Sequence, residues 1–321
     1  MKTRGLIGAV IVAGAAVAAA ALGYRYFVFE PGADLDYDTR VVNPAFAGQG
    51  PRVLFDQAHR NSHSASGRYR PFANLLRSDG CRVQPANSQI TDDLLSKADI
   101  YVCVNARGPK DDASKPAFTE SECDTMERWV KNGGALLLVA DHHPCGTAAA
   151  ALAGKFGVVM TDGWTDDEAN ARAGSGDPGQ LLFARDKGSL GDHAITLGRN
   201  ESERVSVVET FTGQSLVPPS GAVVLMPLAD SAVDRVPVSS TSQTTGTTTT
   251  TTFETDDRPA EGHCQGLAMR HGKGRVVVLA EAAMLTAQEQ EGRKFGMNAP
   301  GNDNRQFTLN TIRWLAGALG E

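Results

Sequence analysis

Six consecutive apolar residues, Ala135-Leu-Leu-Leu-Val-Ala140, stand between the glycine pair Gly133-Gly134 and the polar elbow Asp141-His142-His143-Pro144-Cys145-Gly146. An unbroken apolar run with such sharp polar ends reads as a strand covered on both faces, which is the pattern of a parallel sheet packed between helices. The preceding chain agrees. Thr119-Glu-Ser-Glu122 is a capping box, in which the Thr hydroxyl and the Glu three residues on satisfy each other's free amides. The helix it opens carries Met126, Trp129 and Val130 on its apolar side and runs to Lys131. Ala148–Phe156 reads as the next helix.

Upstream, the same alternation repeats. Arg52–Asp56 is a short buried strand, and Tyr69–Ser78 is a helix with Phe72, Leu75 and Leu76 on one face, ended by Asp79-Gly80. Cys81–Val83 and Asp99–Val104 are further strands, separated by a short helix capped by Thr91. Strand and helix alternating at this spacing imply right-handed crossovers and a doubly wound, mostly parallel α/β sheet of flavodoxin-like type. The second half is a β-rich excursion, with strands at 205–209, 222–226, 266–269 and 275–280, and a closing helix over Asn304–Leu319. Residues 239–252, a Ser/Thr tract with almost no apolar side chain, read as a disordered loop.

The N-terminus is organised differently. Lys2 and Arg4 precede the uncharged run Leu6–Leu22, while Glu30, Asp34, Asp36 and Asp38 follow it. This reads as a signal anchor over residues 1–23, crossing a membrane once and placing the domain outside the cytoplasm. Cleavage near Ala18-Ala19-Ala20, giving a secreted chain, is the alternative. Residues 24–50 read as a tether, leaving 51–321 as the domain. The net charge of −6 and the lack of a Lys/Arg cluster exclude a nucleic-acid partner, because phosphate binding needs concentrated basic surface. The five cysteines are scattered without a CxxC pair, and Cys81 and Cys103 read as small buried residues.

In open parallel sheets, ligands bind beyond the carboxyl ends of the strands. Asp56-Gln-Ala-His59-Arg-Asn61-Ser-His63 follows the first strand, Asp141-His142-His143-Pro144-Cys145 the central one, and Glu281 the last. The candidate ligand-binding residues are therefore Asp56, His59, His63, His143, His193 and Glu281, with Asp141, His142 and Cys145 as candidate catalytic groups. Asp56, His59, Asp141 and His142 also form a possible ligand set for zinc, manganese or iron. The bland alternative is that Asp56 and Asp141 cap the helices that follow them. Cys145 is either a nucleophile activated by a helix N-terminus and His142 or His143, or a small residue facing its neighbour. His193 either drapes over the pocket or caps a turn.

The stretches RVLFDQAHRNSH, FTESECDTMERWVKNGGALLLVADHHP and GKGRVVVLAEAAMLTAQ resemble glutamine-amidotransferase-like domains of the DUF4350 type. Those are similar in turn to the ThuA-like and intraflagellar-transport-type branches of the class I amidotransferase fold. The resemblance covers about Arg52–Gly157 and Gly272–Gly317. It implies an amidotransferase-like fold, but the family's elbow cysteine in G-x-C-x-G and its distal His-x-Glu are missing here, which removes the usual triad. The reading is a domain that binds a small polar ligand or an envelope protein through an Asp/His-rich pocket. A metal-assisted or Cys/His hydrolase of an amide, ester or glycan, and an accessory subunit of an envelope transporter, stay open beside it.

Overall fold

The computed structural model describes residues 6–13, 31–110, 112, 115–245 and 248–320. Its centre is a nine-stranded sheet built from β1 (Arg52–Asp56), β2 (Arg82–Ala86), β3 (Ile100–Val104), β4 (Ala135–Val139), β5 (Val159–Met160), β6 (Leu216–Val217), β7 (Val223–Pro227), β8 (Cys264–His271) and β9 (Gly274–Leu279). The order is β2-β1-β3-β4-β9-β8-β6-β5, with β7 also paired to β8. Pairings from β2 through β9 are parallel, whereas those of β8 with β9, β6 and β7, and of β6 with β5, are antiparallel. The expected mostly parallel sheet is thus present in part, as a five-stranded parallel half continued by an antiparallel one.

Side-chain alternation explains how the parallel half is covered. Val53, Phe55, Ile100, Val102, Leu137 and Val139 pack with Phe72 and Leu76 of α1 (Arg70–Ser78) and with Phe307 and Ile312 of α4 (Asn304–Leu315). Leu54, Tyr101, Leu136 and Leu138 face the other way, toward Met126 and Val130 of α2 (Glu120–Lys131) and Leu152 of α3 (Cys145–Gly154). Both faces of β1, β3 and β4 are buried, as their apolar runs require, whereas the edge strand β2 is mostly exposed. The capping box at Thr119 and Glu122 is formed as read.

Two expectations about the chain's N-terminal part are corrected. No helix among the described residues is long and apolar enough to cross a membrane. Leu6–Ala13 is instead an extended strand, antiparallel to the chain around Thr248–Glu254. Its sequence LIGAVIVA is rich in β-branched residues, which suit a strand as well as an apolar helix. The membrane partner and the single-pass localisation fall with that anchor; residues 14–22 of the expected span lie outside the described residues. The tether is also corrected over 31–50. Gly32–Ala33 pairs with the hairpin Ala287–Gln290/Arg293–Gly296, Val41 N–H donates to Ser78 Oγ, and Phe46 N–H donates to Asp79 O.

Over its described residues, 239–245 and 248–252, the Ser/Thr tract is strand and not a loop. It lies in a ribbon of Val233–Thr245 against Thr248–Pro259, whose base pairs with Trp164–Asp166. Lack of apolar burial is not enough to make such a tract disordered. Ladder hydrogen bonds and the β-propensity of threonine favour the extended state without an apolar face.

Candidate functional site

The loops after β1, β3 and β4 rise from the same edge of the sheet, but they divide the expected pocket between two places. Asp56 is fully buried at the end of β1. Its carboxylate accepts from His59 Nδ1 at 2.9 Å, Asn61 Nδ2 at 3.0 Å, Tyr101 Oη at 2.9 Å, Cys103 Sγ at 3.4 Å and Ala58 N at 3.2 Å. His59 then reaches Glu122 Oε1 through Nε2 at 3.0 Å, with its ring 4.4 Å from that of Phe118. Burial alone would lower the His59 pKa, but a carboxylate on each ring nitrogen outweighs it and the net direction is upward. Glu122, pushed up by burial, is brought below the carboxylate range by the Thr119 amide, by His59 and by further donors at Thr119 and Ile90. Asp56, His59 and Glu122 are therefore a closed internal clamp with every oxygen occupied, which corrects the reading of Asp56 and His59 as pocket residues.

Asn105, held in the left-handed region at φ 46°, links the next two loops. Its Oδ1 accepts from Asp141 N at 2.9 Å and its Nδ2 lies 3.2 Å from His63 Nε2. Gln214 Nε2 donates to both Ala140 O and Asp141 O, at 2.8 and 3.0 Å. These two amides set the path of the elbow. Gly146 lies so close beneath it that a Cβ there would meet Gln214 Oε1 at 2.5 Å and Asp162 Cα at 2.9 Å.

The elbow's side chains diverge. Asp141 lines a cleft of about 470 Å³ together with His63, Arg68, Asp177, Gln180, Thr212, Glu281, Gln288, Arg293 and Phe295. His142 and His143 turn away from it. His142 Nδ1 meets His143 O at 2.9 Å with its ring 5.5 Å from Trp164, and His143 Nδ1 meets Asp162 Oδ2 at 2.7 Å beside Phe253. His193 is also absent from the cleft: its Nδ1 accepts from Ile195 N as a helix cap, its ring meets Trp314 edge-on at 4.8 Å, and burial lowers its pKa to about 4. Of the residues read from the sequence, the structure brings together His63, Asp141 and Glu281.

Electrostatics mark the same three. Burial pushes Asp141 up, against His142 and the amides of His142 and Ala282. Glu281, fully buried, is pushed well up by burial and then by Asp141, although the amides of Ala283, Met284 and Phe211 oppose this. Burial and the proximity of a second carboxylate thus push this pair in the same direction, toward the protonated form. His63 moves the other way, to about 3, because burial and then the Arg68 and Arg107 charges disfavour its cation, against a smaller lift from the Ser62 backbone. It is a neutral imidazole, stacked 5.1 Å from the ring of Tyr69.

Neither chemical alternative finds its geometry. Cys145 is buried and its thiol is pushed up to about 12, by burial first and Asp141 second, the opposite of an activated nucleophile. Iodoacetamide at pH 7 is accordingly expected to leave the native protein's five buried cysteines unmodified on a timescale that fully labels the unfolded chain; fast labelling at Cys145, located by mass spectrometry, would contradict this. For metal, no group of three or more His, Cys, Asp or Glu side chains among the described residues is arranged to hold an ion. Asp56 and His59 spend their donor atoms on each other and on Glu122, away from Asp141 and His142.

Several cleft residues escaped sequence reading. Arg68, Gln180, Thr212, Gln288, Arg293 and Phe295 come from four separate stretches of the chain, at 68, 180, 212 and 288–295, with no shared motif to group them.

The fold is similar to that of known structures at low identity. The mmIFT52 N-terminal domain superposes with a TM-score of 0.57 at 14% identity, over 82% of this chain and 97% of that one. A ThuA-like protein from Bacteroides uniformis gives a TM-score of 0.44 at 11% identity, over 88% and 94% of the two chains. A GMP synthase component from Thermoplasma acidophilum gives 0.42 at 10% identity, over 83% and 94%. No family model and no curated protein matches the sequence. At such identities the first likeness speaks for the fold alone, and nothing rests on the other two.

Proposed function

We propose that this chain is a binding domain for a small polar ligand, received in the cleft beyond the carboxyl ends of β4 and β9. One observation carries the reading: His63, Asp141 and Glu281, from three separate loops, converge on a single cleft while the other candidate residues are consumed in internal contacts. A cleft at this edge of an open sheet, with a few convergent polar groups of shifted pKa, is the usual form of a small-molecule site. We also read the domain as a triad-less relative of the amidotransferase-like fold, of the DUF4350 type, in which Asp141 occupies the elbow where that family places its cysteine. Partner binding at the same cleft fits less well, since its innermost residues are buried or half-buried.

The test is a thermal-shift panel of neutral sugars, amino acids and organic acids on the full chain. A ligand at about 100 times its Kd stabilises by roughly 2.7 kcal/mol, a readily measured rise in Tm. Arg293 is exposed at the rim, stacked 4.8 Å over Phe295 and bonded to Gln180 Oε1 at 3.0 Å. Arg293→Ala is expected to abolish the ligand-induced shift while leaving the unliganded Tm within about 2 °C, as surface substitutions usually do. A panel without a single stabilising compound, or a shift that survives Arg293→Ala, would remove this reading.

A further inference from the structure

We propose that the inner end of this cleft binds the carboxylate group of a small organic acid, an inference that rests on the ligand-binding reading above. What selects the ligand is which polar atoms there are already committed. Asn105 Oδ1 accepts from Asp141 N, so the amide's nitrogen end faces His63 and donates to Nε2. A neutral imidazole whose Nε2 accepts must carry its proton on Nδ1. That Nδ1 makes no hydrogen bond of normal geometry, the Ser62 backbone giving only a small lift, although His63 is only 5% exposed. An unsatisfied buried donor is costly and is seldom left without a purpose.

The carboxylates beside it are in the reverse condition. Asp141 Oδ1 accepts from His142 N at 2.9 Å, and Glu281 Oε2 accepts from Met284 N at 2.9 Å while its other oxygen takes Ala283 N. Backbone amides thus occupy three of these four carboxylate oxygens, and the open donor at this end is His63 Nδ1–H. Arg68 lines the same end and adds positive charge. Donors with a guanidinium close by select a ligand oxygen that accepts and carries negative charge. A sugar hydroxyl fits worse, because it must also donate and would find most of the acceptors there taken. A dianionic phosphate fits worse too, since it brings twice the charge against Asp141 and Glu281. Gln288 and Gln290 line the same cleft and offer amide groups to a polar tail.

Isothermal titration of the full chain at pH 7 with gluconate, glucose and inorganic phosphate separates these cases, because gluconate and glucose differ chiefly in the carboxylate. Gluconate is expected to bind at least about tenfold more tightly than either other probe. His63→Phe keeps a ring against Tyr69 but removes the donor, and is expected to lose about tenfold in gluconate affinity while leaving glucose unaffected. Arg68→Gln is the second variant, with the same expected loss for gluconate, should His63→Phe fail to fold. Glucose binding as well as gluconate, or phosphate binding better, would overturn the carboxylate assignment and leave the ligand-binding reading standing. Silence from all three probes, with the native melting transition intact, would overturn the carboxylate assignment; the wider panel described above then decides the ligand-binding reading separately.

Discussion

Asp56→Ala is expected to destabilise the domain by more than about 4 kcal/mol, measured as a fall in the urea midpoint at unchanged slope. The carboxylate takes hydrogen bonds from His59, Asn61, Tyr101, Cys103 and the Ala58 amide, and the buried His59, Tyr101 and Cys103 have no water to turn to in its place. Each strong donor left unsatisfied costs about 1–3 kcal/mol, and His59 would also lose one of the two carboxylates that raise its pKa. Asp56→Asn, which keeps the volume and one accepting oxygen, is expected to recover about half of the loss. Tyr101→Phe removes a single donor and should cost about 1 kcal/mol. A loss below about 1 kcal/mol for the alanine variant would mean that the cluster rearranges, and that Asp56 does not hold the loop after β1.

The second large effect is acid lability through His63. Its pKa is about 3 when folded against an ordinary histidine value of 6.5, so the unfolded chain binds a proton that the folded one refuses. The stability His63 contributes is complete above pH 6.5 and is lost progressively as pH falls toward 3. A shift of that size corresponds to about 5 kcal/mol across the window, in order of magnitude. Other groups tilt the curve differently. His59, with its pKa raised, contributes stability below pH 6.5 that fades as pH rises, and the raised Asp141 and Glu281 favour the folded state as they protonate. The comparison is therefore between the native chain and His63→Phe over the same pH range. The variant should show a clearly shallower decline between pH 6.5 and 3, even if its stability at pH 7 is slightly lower through loss of the Asn105 contact. Parallel curves would show that His63 does not resist protonation.

Both effects arise from residues singled out in the sequence, yet for reasons the sequence did not display. Asp56 and His59 stand three apart after a strand, and that spacing is visible. Glu122 lies 63 residues beyond His59 and announces itself as the second half of a capping box, which it is. Its bond to His59 depends on α2 packing across β3, a contact no local pattern records. His142 and His143 looked equivalent to Asp141, but one residue along an elbow changes where a side chain points. Asn105 and Gln214 set that elbow from distant positions. The apolar run, where it is described at Leu6–Ala13, and the Ser/Thr tract misled for the opposite reason. Apolarity and polarity each have more than one structural outlet, and strand pairing is an outlet that local composition does not disclose.

What the sequence determined alone was the parallel half of the sheet, the succession of its strands and helices along the chain, the capping box, and the edge from which the loops after β1 and β4 leave. These follow from apolar periodicity and from caps, which are local. The tertiary structure decided that Asp56 and His59 are sealed inward, that His63, Asp141 and Glu281 share a cleft, and that a histidine nitrogen there lacks a partner. Those outcomes depend on which loops meet and on which atoms are already hydrogen-bonded, and both are set only when segments far apart in the chain pack together.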